Sequence, residues 1–202
     1  QASIALEKVR LLTDAERRAD EFAGLYKVST SLSAERDLQL NLSLIVESIS
    51  RVLNVPNGFI YLYNEKNDTL RLAISKGMEL STGLIVKMGE GIAGRVAATR
   101  KPMLIDNYKK WDQRIKALDY VPYSSVLEVP MLFGGTLIGV LGVAEINNES
   151  RIFSEQEEQL LSLFAAQAAS AVHNASLFDS IQRSNQVLDR LYRASNALID
   201  AI

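Results

Sequence analysis

Cysteine is missing from all 202 residues, and that one absence removes several chemistries together. Disulfides, thiolate metal sites, iron–sulfur clusters and thiol nucleophiles all require a sulfhydryl. A chain without one also suits a reducing compartment, here expected to be the cytoplasm. Histidine occurs once, as His173, and tryptophan once, as Trp111. A lone imidazole builds no metal cluster, and Ser124-Ser125 have no histidine partner in reach, so the residues for enzymatic catalysis are not in view. Charge of either sign is scarce as an excess: the net charge is −2, so no global field draws the chain to nucleic acid or an anionic membrane. No apolar run approaches the roughly 18–20 residues that span a bilayer. The opening Gln1-Ala2-Ser3-Ile4-Ala5-Leu6-Glu7 lacks the basic-then-apolar order of a secretion signal and reads like the middle of a helix, as in a piece of a longer protein. What is present is an ordinary globular composition, 48% hydrophobic and 23% charged, enough for one domain with additional helix.

The two ends resemble each other. A shift of 166 lays residues 1–36 on 167–202 without a gap, with nine identical pairs, among them Gln1/Gln167, Leu11/Leu177, Arg17/Arg183, Leu25/Leu191, Tyr26/Tyr192 and Leu32/Leu198. Helices can resemble one another through apolar spacing alone, but spacing does not demand the shared tyrosine. The pattern predicts a parent protein with similar domains in tandem, each leaving by a helix that enters the next. Both copies carry a heptad: Leu177, Ile181, Ser184, Leu188, Leu191, Ser195 and Leu198 alternate by four and three, as do Leu11, Ala15, Arg18, Phe22, Leu25, Ser29 and Leu32. The seam expected for a parallel homodimer therefore comprises Leu11, Phe22, Leu177, Ile181, Leu188, Leu191 and Leu198. The alternative, a helix packed on its own domain, is credible for Phe22 to Leu32.

Between the ends, Leu38, Leu42, Ile45, Ile49 and Leu53 share one helical face, stopped by Pro56-Asn57-Gly58. Phe59–Tyr63 and Leu70–Ile74 read as one antiparallel hairpin, and Ser125–Phe133 turning at Gly134-Gly135 into Thr136–Ala144 as a second. The last strand is apolar on both faces, so it belongs at the centre of the sheet, and its glycines admit a close neighbour or ligand. Ser154 with Glu157 forms a capping box that opens a long final helix. This order predicts an α+β fold with a central antiparallel sheet.

Gly89-Glu90-Gly91-Ile92-Ala93-Gly94 matches the glycine pattern of dinucleotide sites. Only Ile92 to Thr99 is available for helix before Lys101-Pro102, too short for a strand–helix–strand crossover, and a hairpin follows instead. A phosphate-binding turn is therefore not expected.

The stretch Gly89–Ala97, followed by Lys101-Pro102-Met103-Leu104-Ile105-Asp106, resembles the GAF domain signature, as do Ser125–Pro130, Leu137–Leu141 and Phe153-Ser154-Glu155. The resemblance covers about Leu25 to Leu177. It implies a central, roughly six-stranded antiparallel sheet with helices on one face. The irregular middle segment would roof the other face over a small-molecule pocket, and long N- and C-terminal signalling helices would flank the domain. The implied organisation is an N-terminal linker helix over 1–24, a GAF domain over 25–177 and a C-terminal signalling helix over 178–202. The implied function is a regulatory, small-molecule-sensing domain, not an enzyme. It would relay a signal through coiled-coil helices to an output domain of the same parent chain, such as a kinase, cyclase, phosphodiesterase or transcription activator. A ligand-free dimerisation or spacer domain is the alternative.

The ligands that such domains take can be tested against these residues. Covalent bilin attachment and methionine sulfoxide reduction both need a thiol. Haem needs an axial ligand, and His173 lies on the final helix, where it reads as a surface or interface residue. The family's cyclic-nucleotide pattern is incomplete in Asn147-Asn148, Phe153 and Glu157-Glu158, because its lysine is missing, so a cyclic nucleotide stays a minor reading. The candidate pocket residues are Ile92, Met103, Asp106, Asn107, Tyr108, Trp111, Tyr120, Tyr123, Ser124 and Glu128, a set that joins aromatic faces to polar tips. Glu128 either faces solvent near an edge or supplies the pocket's one charge; if buried, it wants a cation such as Arg95 or a ligand amine.

Overall fold

The computed structural model describes residues 37–77, 83–115, 120–146, 148 and 151–199, with side chains of the last helix described to residue 188. The chain divides into Gln1–Asp37 and Leu38–Ile202, and the described residues fall almost wholly in the second unit. Leu11 and Phe22, with the rest of the N-terminal repeat and its seam, lie outside the described residues.

A helix, α1, occupies residues 37–53 and buries Leu42, Ile45, Val46, Ile49 and Leu53, the stripe that its spacing predicts. It ends earlier than Pro56: the chain reverses at Asn54, in the left-handed region at φ 50°, where an asparagine is tolerated. Asn57 and Gly58, expected as a helix stop, already belong to the first strand. The strands are β1 (Asn57–Asn64), β2 (Thr69–Lys76), β3 (Ile85–Lys87), β4 (Met103–Ile105), β5 (Ser125–Phe133) and β6 (Thr136–Glu145). They form one sheet in the order β3-β2-β1-β6-β5-β4, with antiparallel pairing throughout. β6 is central, as its two-sided apolar pattern requires.

Two apolar layers form on the two faces because alternate strand residues point opposite ways. On one face Ile60, Leu127, Val129, Met131, Leu141 and Val143 meet α1 and the start of α3 (Glu155–Ile199). α3 presents Leu161, Ala165, Ala168 and Ala169, all fully buried, and the small side chains let it lie close on the sheet. On the other face Phe59, Tyr61, Leu70, Leu72, Val126, Val140 and Ala144 are covered by α2 (Gly91–Thr99) and by the segment between β4 and β5. The roof is therefore only partly irregular, since α2 supplies part of it. Bulges at Ala73 and Ile138, where the pairing slips by one residue, reverse the facing of the residues beyond them. Leu72 and Ile74 thus share a parity in sequence but lie in opposite layers.

The capping box at the start of α3 is formed. Glu157 N–H donates to Ser154 Oγ at 3.3 Å, and Ser154 N–H donates to Glu157 Oε2 at 2.8 Å. Arg151 pairs with Glu157 at 2.6 Å and donates to the Leu53 carbonyl at 2.8 Å, which ties the start of α3 to the end of α1. Phe153 is buried in the helix-side layer, with the Arg151 guanidinium 5.2 Å from its ring centre. Among the described residues no helix is long and apolar enough to cross a membrane.

Candidate functional site

The glycines of Gly89–Gly94 serve a turn. Gly89 and Gly91 have φ of +79° and +60°, and Gly89 N–H donates to the Gly94 carbonyl at 2.8 Å. A Cβ on Gly94 would stand 2.2 Å from the Lys87 carbonyl oxygen. The turn is closed on itself, and it sets α2 over the sheet with Ile92 and Ala93 pointing inward.

Under α2 lies a small cavity of ≈ 20 Å³, bordered by Phe59 and Tyr61 of β1, Val126 and Glu128 of β5, Ile92 and Ala93 of α2, and Tyr108, Ile115 and Tyr123 of the roof. A single row across the sheet makes its floor: Phe59 pairs with Gly142, Gly142 with Glu128, and Glu128 with Met103. Gly142 is the condition for that row. A Cβ there would stand 2.2 Å from the Phe59 ring and 2.9 Å from Glu128 Cγ. At the other glycine of β6, Gly139, a Cβ would stand 2.1 Å from the Tyr61 carbonyl oxygen, so both glycines admit β1 rather than a helix.

Four aromatic rings gather around the space. Phe59 is edge-on to Tyr61 at 5.8 Å between centroids and stacked with Tyr123 at 6.2 Å; Tyr108 is edge-on to Tyr123 at 5.6 Å. Glu128 is 5% exposed. Its Oε2 is closed off from solvent with no hydrogen-bond partner, and so is the Tyr123 hydroxyl. Burial raises the Glu128 pKa from the ordinary carboxylate value to about 8. Burial, and then the neighbouring Glu128, push the Tyr61 and Tyr123 phenols well above the ordinary tyrosine range. No cation offsets this among the described residues. Arg95, the expected counter-ion, makes no ion pair with Glu128, and its own Nε is buried without a partner.

The structure thus brings Ile92, Tyr108, Tyr123 and Glu128 to one cavity, with Met103 half-buried beside Glu128. Trp111 stands one layer out, tilted against Tyr108 at 6.2 Å. Asp106, Asn107 and Tyr120 are exposed, and Asn107 caps the short 3-10 turn Tyr108–Lys110, its Oδ1 accepting from Lys110 N–H at 3.1 Å. Ser124 fastens the roof to the end of β6: its Oγ donates towards the carbonyls of Glu145 at 3.0 Å and Asn148 at 3.1 Å. Sequence reasoning passed over Phe59, Tyr61, Ala93, Ile115 and Val126. The signal for three of them was parity, since Phe59 shares a face with Tyr61, and Val126 with Glu128.

A much larger concavity, ≈ 820 Å³, runs open to solvent past Lys66, Arg71, Arg100 and His173. It is a surface groove without an enclosed polar group, so the smaller cavity is the stronger candidate. His173 itself stacks on Phe133 at 3.9 Å, where α3 passes the tip of the β5–β6 hairpin. Beyond that point Leu177, Ile181 and Leu188 are 48%, 59% and 60% exposed. The side chains of Leu191 and Leu198 lie outside the described residues.

Residues 35–173 match the GAF domain family. A probable 3',5'-cyclic phosphodiesterase, pde-5, of Caenorhabditis elegans is 32% identical over 102 residues, 49% of this chain and 14% of that protein. A Nif-specific regulatory protein of Azospirillum lipoferum is 29% identical over 137 residues, 64% of this chain and 22% of that one. The chain therefore spans under a quarter of either relative. The crystal structure of the GAF domain from an Acinetobacter phosphoenolpyruvate-protein phosphotransferase superposes with a TM-score of 0.62 at 25% identity, covering 75% of this chain and 98% of that one. With six antiparallel strands, helices on both faces and this match, the chain belongs to the GAF domain family of regulatory domains of signalling proteins.

Proposed function

We propose that this domain is a small-molecule sensor whose cavity occupancy is relayed through α3 to an output domain of the parent protein. The observation that carries the reading is the small cavity with its two unpartnered buried polar atoms, Glu128 Oε2 and the Tyr123 hydroxyl. Such atoms cost free energy unless something pairs with them, and a bound molecule is the simplest partner. The relay part is supported by the exposed heptad of α3, which a second copy would cover. On this reading residues 1–24 and 178–202 are connecting helices and 25–177 is the sensor. The relatives' arrangement as short segments of long signalling proteins supports an output domain in the same chain.

Coupling requires that the ligand distinguish two arrangements of the helices. Ser184 and Ser195 interrupt the apolar seam and keep two such arrangements near in energy. Replacing both with leucine is expected to lock the dimer and fix the parent's output, read as a concentration-independent dimer mass together with loss of regulation. Unaltered regulation in the doubly substituted parent removes the relay.

A second reading, a spacer with a filled cavity, is favoured by the cavity's size, ≈ 20 Å³, which side chains nearly close. Native mass spectrometry of protein purified under mild conditions separates the two, because a sensor retains a small molecule or gains thermal stability from one and a spacer does neither.

A further inference from the structure

The cavity's walls restrict what it can hold. Among the described residues no lysine, arginine or histidine borders it, and the acidic group in its floor has one oxygen with nothing to accept from. An anion would be buried beside a neutral carboxyl with no cation among the described lining residues to balance it. A purely apolar guest would leave Oε2 and the Tyr123 hydroxyl as they are, buried and unpaired. A guest with N–H donors and a positive charge meets both requirements: it pairs with the carboxylate and is attracted by the surrounding aromatic rings, whose faces carry partial negative charge. Size limits it further, because ≈ 20 Å³ is room for about one water-sized group, the size of an ammonium head.

We infer that the cavity is a site for a small ammonium-type cation, a short alkylamine or the amine end of one, held by Glu128 among the rings of Tyr61, Tyr108 and Tyr123. This inference rests on the sensing reading of the same cavity and names its ligand class. Binding is a proton–cation exchange. Empty, Glu128 keeps its proton near neutral pH because burial disfavours the charged form. The arriving cation replaces that proton, which leaves for solvent, so the buried charge stays balanced. The titratable groups facing Glu128 are Tyr61 from β1, Tyr108 from the 3-10 turn and Tyr123 from the segment before β5; α2 contributes only Ile92 and Ala93.

Calorimetric titration of the 202-residue chain with methylammonium chloride, between pH 6 and 9 and in buffers of different ionisation enthalpy, tests it. The expected result is saturable binding that tightens about tenfold per pH unit up to pH 8 and levels above it, with close to one proton released per cation at pH 7. Glu128→Gln abolishes binding, and Tyr123→Phe, which keeps the ring, weakens it several-fold. Binding without proton release, binding equal in Glu128→Gln, or methanol and formate binding as well as methylammonium each overturns the inference. The wild-type proton count decides the matter even if Glu128→Gln does not fold. A thermal-shift panel on wild type and the cavity-filling Ala93→Val then separates the two levels. If only neutral or anionic compounds stabilise the wild type, and Ala93→Val abolishes that stabilisation, the ligand class falls and the sensor stands. If no compound stabilises the wild type, both fall.

Discussion

Glu128 sets the strongest expectation at the scale of single residues. Its carboxyl is raised from the ordinary value to about 8 in the fold, whereas an unfolded chain returns it to the ordinary range. Between those values the folded state binds a proton that the unfolded state has released, so stability is full below about pH 4.5 and falls as pH rises through 8. The slope is at most about 1.4 kcal/mol per pH unit for one group. Urea unfolding at pH 5, 7 and 9 is expected to show this fall in the wild type, a flatter profile in Glu128→Gln, and the variant as the more stable protein at pH 9. Gly142 makes a second expectation. Gly142→Ala drives a methyl into the Phe59 ring and costs about 1–3 kcal/mol, with a change in the near-ultraviolet signal of the clustered aromatics. Part of this site is legible in the sequence. Glu128 stands out as a lone acid on an apolar strand, and Tyr108 and Tyr123 as aromatics in the covering segment. Phe59 and Gly142 are not legible as a site, because what joins them to Glu128 is strand register, fixed by pairing between segments more than 65 residues apart in the case of β1 and β6. That Asp106, Asn107 and Tyr120 stand exposed is not legible either, because an irregular segment has no period to separate its inner from its outer residues.

At the scale of elements, the reading from periodicity and turns was nearly complete where local rules act alone. Gly134-Gly135 makes the β5–β6 turn with φ of +55° and +82°, and the apolar stripe of α1 faces the sheet as its spacing requires. Missed were the bulges at Ala73 and Ile138, whose cause is tertiary. The start of α3 offers a clean test. Ser154→Ala removes the oxygen that accepts from Glu157 N–H and is expected to cost about 1 kcal/mol in thermal or urea unfolding. Glu157→Gln keeps the reach to Ser154 N–H but loses the charge opposite Arg151, an ion pair only one-fifth to one-quarter exposed. It therefore loosens the junction of α1 with α3 while leaving the cap in place.

For the whole molecule, the sheet divides two chemistries. One face holds aliphatic side chains of strands and helices at close packing; the other holds tyrosines, a carboxyl and a small void. The thickness between them is one peptide chain. Along β5 Val126 and Glu128 look into the void, while Leu127 and Val129, the residues between and after them, press on the layer that includes α3. Consecutive residues of one strand are covalently joined, so on the proposed sensing reading a guest that pushes on the floor of the void would displace the bed on which the long helix rests. Under that proposal the strand would act as a membrane does in a pressure gauge, with the helix as its needle, and no wire of intermediate residues would have to be sought.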